Sequence, residues 1–140
     1  MMSVVTELAA RTERIRAGHV ESTGDAWQPK DWRERIHEQF PEILKAPWGI
    51  ECGAGWCDLI LATCEVLSNT PEPPVLTDVK EKFGLLRIYA RSVQAMDDEI
   101  IEAAEVLSGR ICEQCGALGK RRPVSWISTL CDDHFEERRR

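Results

Sequence analysis

Two closely spaced residue pairs constrain this chain more than anything else in it. Cys112 and Cys115 are separated by two residues, Cys131 and His134 by two, and fifteen residues lie between the pairs. A tight turn through C-x2-C aims two thiolates at one point. Gly116 follows directly, and glycine tolerates the left-handed backbone such a turn often needs. Two pairs at this separation fit a tetrahedral zinc site. A redox C-x2-C would leave Cys131 and His134 without a role. Four protein ligands leave no open position, so one Zn2+ with a structural role is expected. A helix starting at Thr129 or Leu130 would put Cys131 and His134 on one helical face. Knuckle, hairpin and helix start, in that order, describe a treble-clef-like finger, with Val124 and Trp126 expected as its small apolar core. Lys120, Arg121 and Arg122 lie between the ligand pairs, where they would either offset the charge of a three-thiolate site or simply meet solvent.

The chain has six cysteines. Residues 1–18 mix charges with apolar positions and hold no apolar h-region. No run of about 18 apolar residues suggests a membrane span. These features point to a cytoplasmic protein with reduced thiols, in which cysteines act as metal ligands or buried groups. Cys57 and Cys64 recur with Ile60, Leu61 and Leu67 at helical spacing and read as small hydrophobes, whereas a second metal site recruiting His37 is a remote alternative. The net charge of −6 is uneven: residues 110–140 carry seven basic and five acidic groups, an excess of two, which leaves −8 for residues 1–109. A body this acidic repels a phosphate backbone.

The pattern divides into an N-terminal helix and loose linker (1–28), an α+β body (29–109) and the finger (110–140). A short helix is expected over residues 4–16, closed by Gly18. Asp31 and Glu34 suggest a capping box for a helix with Trp32, Ile36 and Phe40 on its apolar side, stopped by Pro41. Residues 49–55 read as a glycine-punctuated loop, and residues 56–68 as a buried helix ended by Asn69 and the prolines after it. Alternation over residues 75–90 predicts a β-hairpin turning within residues 80–84. Asp97 is expected to cap a further helix, with Met96 and Ile101 as its hydrophobic staple, Ile100, Ala103, Ala104 and Leu107 facing the core, and Gly109 as its stop. The fold class is therefore α+β: a small helical body with a β-hairpin and a C-terminal zinc finger.

Several strings together resemble a family of small, largely uncharacterised proteins encoded by phages, prophages and some bacteria. They are Glu51-Cys52-Gly53 with Gly55-Trp56, the run from Val79 to Gly84 with Leu86-Arg87 and Tyr89, and Asp97-Asp98 with Ile100. Ala104-Glu105 with Ser108, the Cys112–Gly116 knuckle, Trp126, and Thr129-Leu130-Cys131 with His134 complete the set, which covers about residues 49–134. Ala54 stands where the family has an acid, which argues against a catalytic carboxylate in the glycine loop, and Leu85 stands where it often has glycine. The resemblance implies a phage or mobile-element setting, hence a host cytosol, and carries no established activity with it.

Three function classes are ranked. The first is a non-enzymatic binding or regulatory protein acting on a protein partner, with Lys80, Glu81, Lys82 and Arg87 on the hairpin as its candidate surface. The second is nucleic-acid binding through Lys120, Arg121 and Arg122, weakened by the small positive excess of the finger. The third is a zinc-dependent hydrolase. His19-Val20-Glu21 with Cys112 and Cys115 mimics half of a deaminase signature but would leave Cys131 and His134 unused.

Overall fold

The computed structural model describes residues 3–23, 31–92 and 94–139. Among the described residues, five α-helices and two small sheets form an α+β structure. Helix α1 (Val4–Thr23) is opened by Ser3, whose hydroxyl accepts the Thr6 N–H at 3.1 Å. The helix runs past Gly18, the expected stop. A single glycine costs a helix only about 1 kcal/mol, and contacts on either side of it hold the turn: Arg16 reaches the Cys115 carbonyl and His19 Nδ1 lies 2.8 Å from Asp58. His19 is thus helical rather than in a linker, and residues 24–28 of that expected linker lie outside the described residues.

Helix α2 (Trp32–Gln39) buries Trp32 and Ile36 and ends before Pro41. No capping box forms. Asp31 makes no side-chain cap bond and instead accepts from Arg35 Nε at 3.0 Å. Strand β1 (Ile50–Glu51) lies within the stretch expected to be only loop, flanked by single 3-10 turns at Pro47–Gly49 and Ala54–Trp56. Helix α3 (Cys57–Ser68) is buried on nearly every side, from Cys57 through Cys64 and at Leu67, because α1, α2 and α4 all pack on it.

Strands β2 (Val75–Lys82) and β3 (Leu85–Arg91) form the expected hairpin. β1 joins it in parallel, Ile50 opposite Val79, giving the order β1-β2-β3. Leu76, Val79, Leu86 and Ile88 enter the core. Helix α4 (Ala95–Ser108) lies along the open edge of β3 and takes over its unpaired donors. Ser108 Oγ accepts the Leu86 N–H at 2.8 Å and Glu105 Oε2 accepts the Ile88 N–H at 3.0 Å. An edge covered in this way is closed to strand pairing with other chains.

The expected start of α4 is displaced. Gln94, not Asp97, is the N-cap, and Asp97 sits fully buried in the first turn, accepting from Ser92 Oγ at 2.9 Å and Gln94 Nε2 at 3.0 Å. Met96 consequently falls inside the helix and is exposed, rather than preceding the cap where a staple residue stands. Ile100, Ala103, Ala104 and Leu107 face the core as expected, and Gly109 is the C-cap.

The C-terminal segment pairs β4 (Lys120–Arg122) with β5 (Ser128–Leu130) in an antiparallel hairpin, followed by α5 (Asp132–Arg139). No helix begins at Thr129 or Leu130. Those residues extend to pair with Arg121 and Lys120, and the helix waits for Asp132 and Asp133, whose charges suit its positive end.

Candidate metal centre

Three separate elements bring the four candidate ligand residues together. The knuckle closes on itself, with Gly116 N–H donating to the Cys112 carbonyl at 2.9 Å and Cys112 N–H to Ala117 at 2.8 Å. Gly116 takes φ +79°, the left-handed conformation anticipated for it. Cys131 directly follows β5 and His134 lies in the first turn of α5. The ligand atoms of Cys112, Cys115, Cys131 and His134 all lie within 4.8 Å of one another, the only such grouping of three or more candidate ligands among the described residues.

The spacing fits a single metal ion. The Sγ atoms of Cys115 and Cys131 are 3.8 Å apart, and Nδ1 of His134 is 3.5 Å from Cys112 Sγ and 3.2 Å from Cys131 Sγ. A tetrahedron with thiolates at about 2.3 Å and imidazole at about 2.0–2.1 Å has edges of roughly 3.8 Å between sulfurs and 3.6 Å between sulfur and nitrogen. The other imidazole nitrogen, Nε2, faces Glu137 at 3.7 Å, the carboxylate–histidine arrangement that orients a ligating ring. Burial raises the Cys112 thiol, but N–H groups of Cys131, Cys115 and Gln114 outweigh it and hold the thiol below its ordinary value. Burial, with the neighbouring thiols, pushes Cys115 up to about 11. Deprotonating three thiols this close together calls for a cation among them.

The knuckle rests on the glycine loop at residues 53–56, whose role is invisible in the sequence. Gly53 N–H donates to Glu113 Oε2 at 2.9 Å, Gly55 N–H to the Glu113 carbonyl at 2.7 Å, and the fully buried Trp56 gives its indole N–H to the Ile111 carbonyl at 2.8 Å. A Cβ at Gly55 would lie 2.1 Å from the Cys112 carbonyl oxygen, and one at Gly53 2.5 Å from that of Glu113. These are backbone contacts, so only glycine permits them.

Val124 and Trp126 do not form the expected core of the finger. Both are exposed, because the β4–β5 connection carries them outward, and Leu130 and Cys112 are buried instead. Lys120, Arg121 and Arg122 belong to a strand rather than a loop, and the two arginines are held in different directions. Arg122 bonds the Leu130 carbonyl and Asp132 (2.7 Å) and covers the Phe135 ring, whereas Arg121 Nε donates to the Phe83 carbonyl at 2.9 Å. On the body hairpin, Lys80, Lys82 and Arg87 share the outer face, with Lys80 over Tyr89 and Arg87 3.5 Å from Glu105. Glu81 turns away from them and accepts the Gly84 N–H at 3.1 Å.

Cys52, Cys57 and Cys64 are buried apart from the cluster, and burial raises all three thiols, Cys57 and Cys64 to about 12. His37 Nδ1 meets the Leu44 carbonyl at 2.6 Å. Replacing Cys52, Cys57 and Cys64 with alanine is expected to leave the bound metal at one ion per chain while lowering stability by about 1 kcal/mol per site. Elemental analysis beside a denaturant titration measures both, and a fall in metal content would show that one of the three is a ligand. His19, the histidine of the deaminase-like string, pairs with Asp58 rather than with the cluster.

Sequence reasoning missed Phe83, which occupies the first position of the two-residue hairpin turn at φ 55°, followed by Gly84 at φ 82°. A turn tip was the available signal, since it must be exposed. Comparison with family models, with curated proteins and with solved structures found no match. The fold and the cluster define an α+β protein with a Cys3His grouping that fits one metal ion, and none of its described helices is long and apolar enough to cross a membrane.

Proposed function

We propose that this is a zinc-stabilised, non-enzymatic binding protein of phage or mobile-element origin that acts in the cytoplasm on a protein partner. Three thiolates and an imidazole are the donor set of structural zinc. Four protein donors leave no position for a substrate or reactive water, which supports a scaffolding role for the ion. The order of knuckle, β4–β5 hairpin and α5 supports the treble-clef-like reading of the finger.

The observation that carries the binding reading is the exposure of Trp126 (70%) beside Phe83 (59%), on either side of a cleft of about 340 Å3. An aromatic at the first position of such a turn costs roughly 1–2 kcal/mol, and asparagine or glycine is the usual occupant. Strain retained at an exposed aromatic is typical of a working surface. Aromatics beside Lys82 and Arg121 also favour a second reading, stacking of single-stranded nucleic acid. It ranks lower because Arg122 is committed within the finger and the body is strongly acidic.

The test is affinity capture from a bacterial lysate with and without nuclease, comparing the wild type with the double variant Trp126→Ala, Phe83→Ala. A protein retained after nuclease by the wild type and lost by the variant is the expected result. Loss on nuclease alone selects the second reading, and capture indifferent to both aromatics refutes this surface.

A further inference from the structure

The cleft at the hairpin tip is lined by Glu81, Lys82, Phe83, Ser125, Trp126 and Ile127. Its floor and walls are largely apolar: the Phe83 ring, the Trp126 indole and the Ile127 side chain, which comes within 3.2 Å of a Cβ built at Gly84. Two cations flank Phe83: Lys82, which lines the cleft, and Arg121, which stands next to it outside the lining. Lys82 Nζ lies 5.8 Å from the ring centroid and Arg121 Nε is bonded to the Phe83 carbonyl. Neither makes an ion pair among the described residues, and Arg121 keeps its terminal nitrogens for a further acceptor. The one acid in the lining, Glu81, accepts the Gly84 N–H at 3.1 Å through Oε2, which turns that oxygen toward the backbone of the turn.

The finger and the body hairpin build this tip jointly. Thr129 Oγ1 donates to the Gly84 carbonyl at 2.5 Å, and Arg121 anchors Phe83 from the finger side, so the strained turn is clamped from three directions. The surface is therefore preorganised, which reduces the entropy lost on binding.

Resting on the reading that this surface binds a protein, we propose that its occupant is a short peptide segment with an apolar or aromatic anchor flanked by Asp or Glu. The anchor fills the space between Trp126 and Phe83, and the flanking carboxylates meet Lys82 and Arg121, the latter suited to bidentate pairing. Charge complementarity is local. The Debye length at physiological salt is about 8 Å, so the −8 body is largely screened from a segment confined to the cleft. A nucleic-acid strand extends beyond the cleft and meets the acidic body, with few cations to neutralise its phosphates.

The test is selection from a displayed random-peptide library on the zinc-loaded protein, followed by anisotropy titration of the enriched peptides against wild type, Trp126→Ala, Lys82→Glu and Phe83→Asn. Asparagine accepts the left-handed turn, so Phe83→Asn is expected to fold at least as stably as wild type while losing the anchor contact. The expected result is enrichment of acid-flanked apolar anchors, with affinity lowered about tenfold or more by Trp126→Ala and by Phe83→Asn. Lys82→Glu should weaken binding severalfold, and more so at low salt. Trp126-dependent peptides lacking acids would overturn the acidic class yet leave a protein-binding surface. Failure to enrich any Trp126-dependent peptide overturns this inference, while lysate capture separately decides the broader function. Two other results would overturn it by naming another occupant. One is a Trp126-dependent dimer in sedimentation, which means a second copy. The other is tighter Trp126-dependent binding of a single-stranded oligonucleotide.

Discussion

Changing Cys131 and His134 together to alanine is expected to abolish metal binding and unfold the C-terminal segment. The variant removes two of four donors at once, leaving the Cys112–Cys115 knuckle with no partner across the site. Structural zinc in peptides of this donor type contributes about 10–16 kcal/mol of apparent free energy at neutral pH. Whole domains are commonly stable by only about 5–15 kcal/mol. The β4–β5 hairpin and α5 are short and no α5 residue is buried, so without an ion the segment is held through β5, whose three residues are buried, and its bond to Gly84, while α5 has no core contact of its own. Elemental analysis should fall from one zinc per chain to none, and thermal melting should lose its dependence on added zinc. Zinc retained at one per chain would refute the ligand assignment. A different metal in protein purified from cells would refute the identity of the ion while leaving the site intact.

Gly55→Ala should be nearly as damaging, although glycine to alanine is among the smallest changes available. The added methyl would sit 2.1 Å from the Cys112 carbonyl oxygen and 2.5 Å from the Glu113 carbonyl oxygen. No rotamer relieves a clash between backbones. The loop must withdraw from the knuckle, breaking the Gly55–Glu113 hydrogen bond and straining the Trp56–Ile111 one. We expect a loss of about 3 kcal/mol or more, in the range reserved for core disruption, together with faster zinc release to a chelator. Gly18→Ala is the control. A Cβ there meets nothing within 4 Å, and a mid-helix glycine replaced by alanine should stabilise the chain by about 0.4–1 kcal/mol. Paired denaturant titrations read the contrast directly. If the two variants shift the midpoint alike, the glycine loop does not support the knuckle in the way described.

The contrast between these two glycines shows where sequence reading stops. Gly18 stands alone among charged and apolar neighbours, and Gly55 belongs to a glycine-punctuated loop whose spacing names no partner. Gly18 was expected to end a helix because glycine lowers helix propensity, yet α1 continues to Thr23, its extension tied to Asp58 on α3. Gly55 carries no hint that its partner lies at Cys112 and Glu113, because close approach of two backbones leaves no periodicity. The same holds for Asp97. Its position suggested a helix cap, but Gln94 takes that place and Asp97 is buried in the first turn, bonded to Ser92 and Gln94.

What the sequence determined by itself was whatever depends on spacing over a few residues. The four clustered residues were legible because C-x2-C and C-x2-H can converge only through a tight turn and a short helical step. The β2–β3 hairpin was legible because alternation has period two, and the inward residues of α4 because helical burial has period 3.6, whereas α3 is buried on nearly every side, beyond the face its spacing indicated. The tertiary structure alone decided which of those pieces meet. It set the glycine loop under the knuckle, α4 along the open edge of β3, and Arg121 at the hairpin tip. It also sent Trp126 and Val124 to the surface rather than into a finger core. An apolar side chain on a small hairpin is buried only if another element lies over it, and that element is fixed by contacts far away in the chain, such as Gly53 with Glu113 across 60 residues.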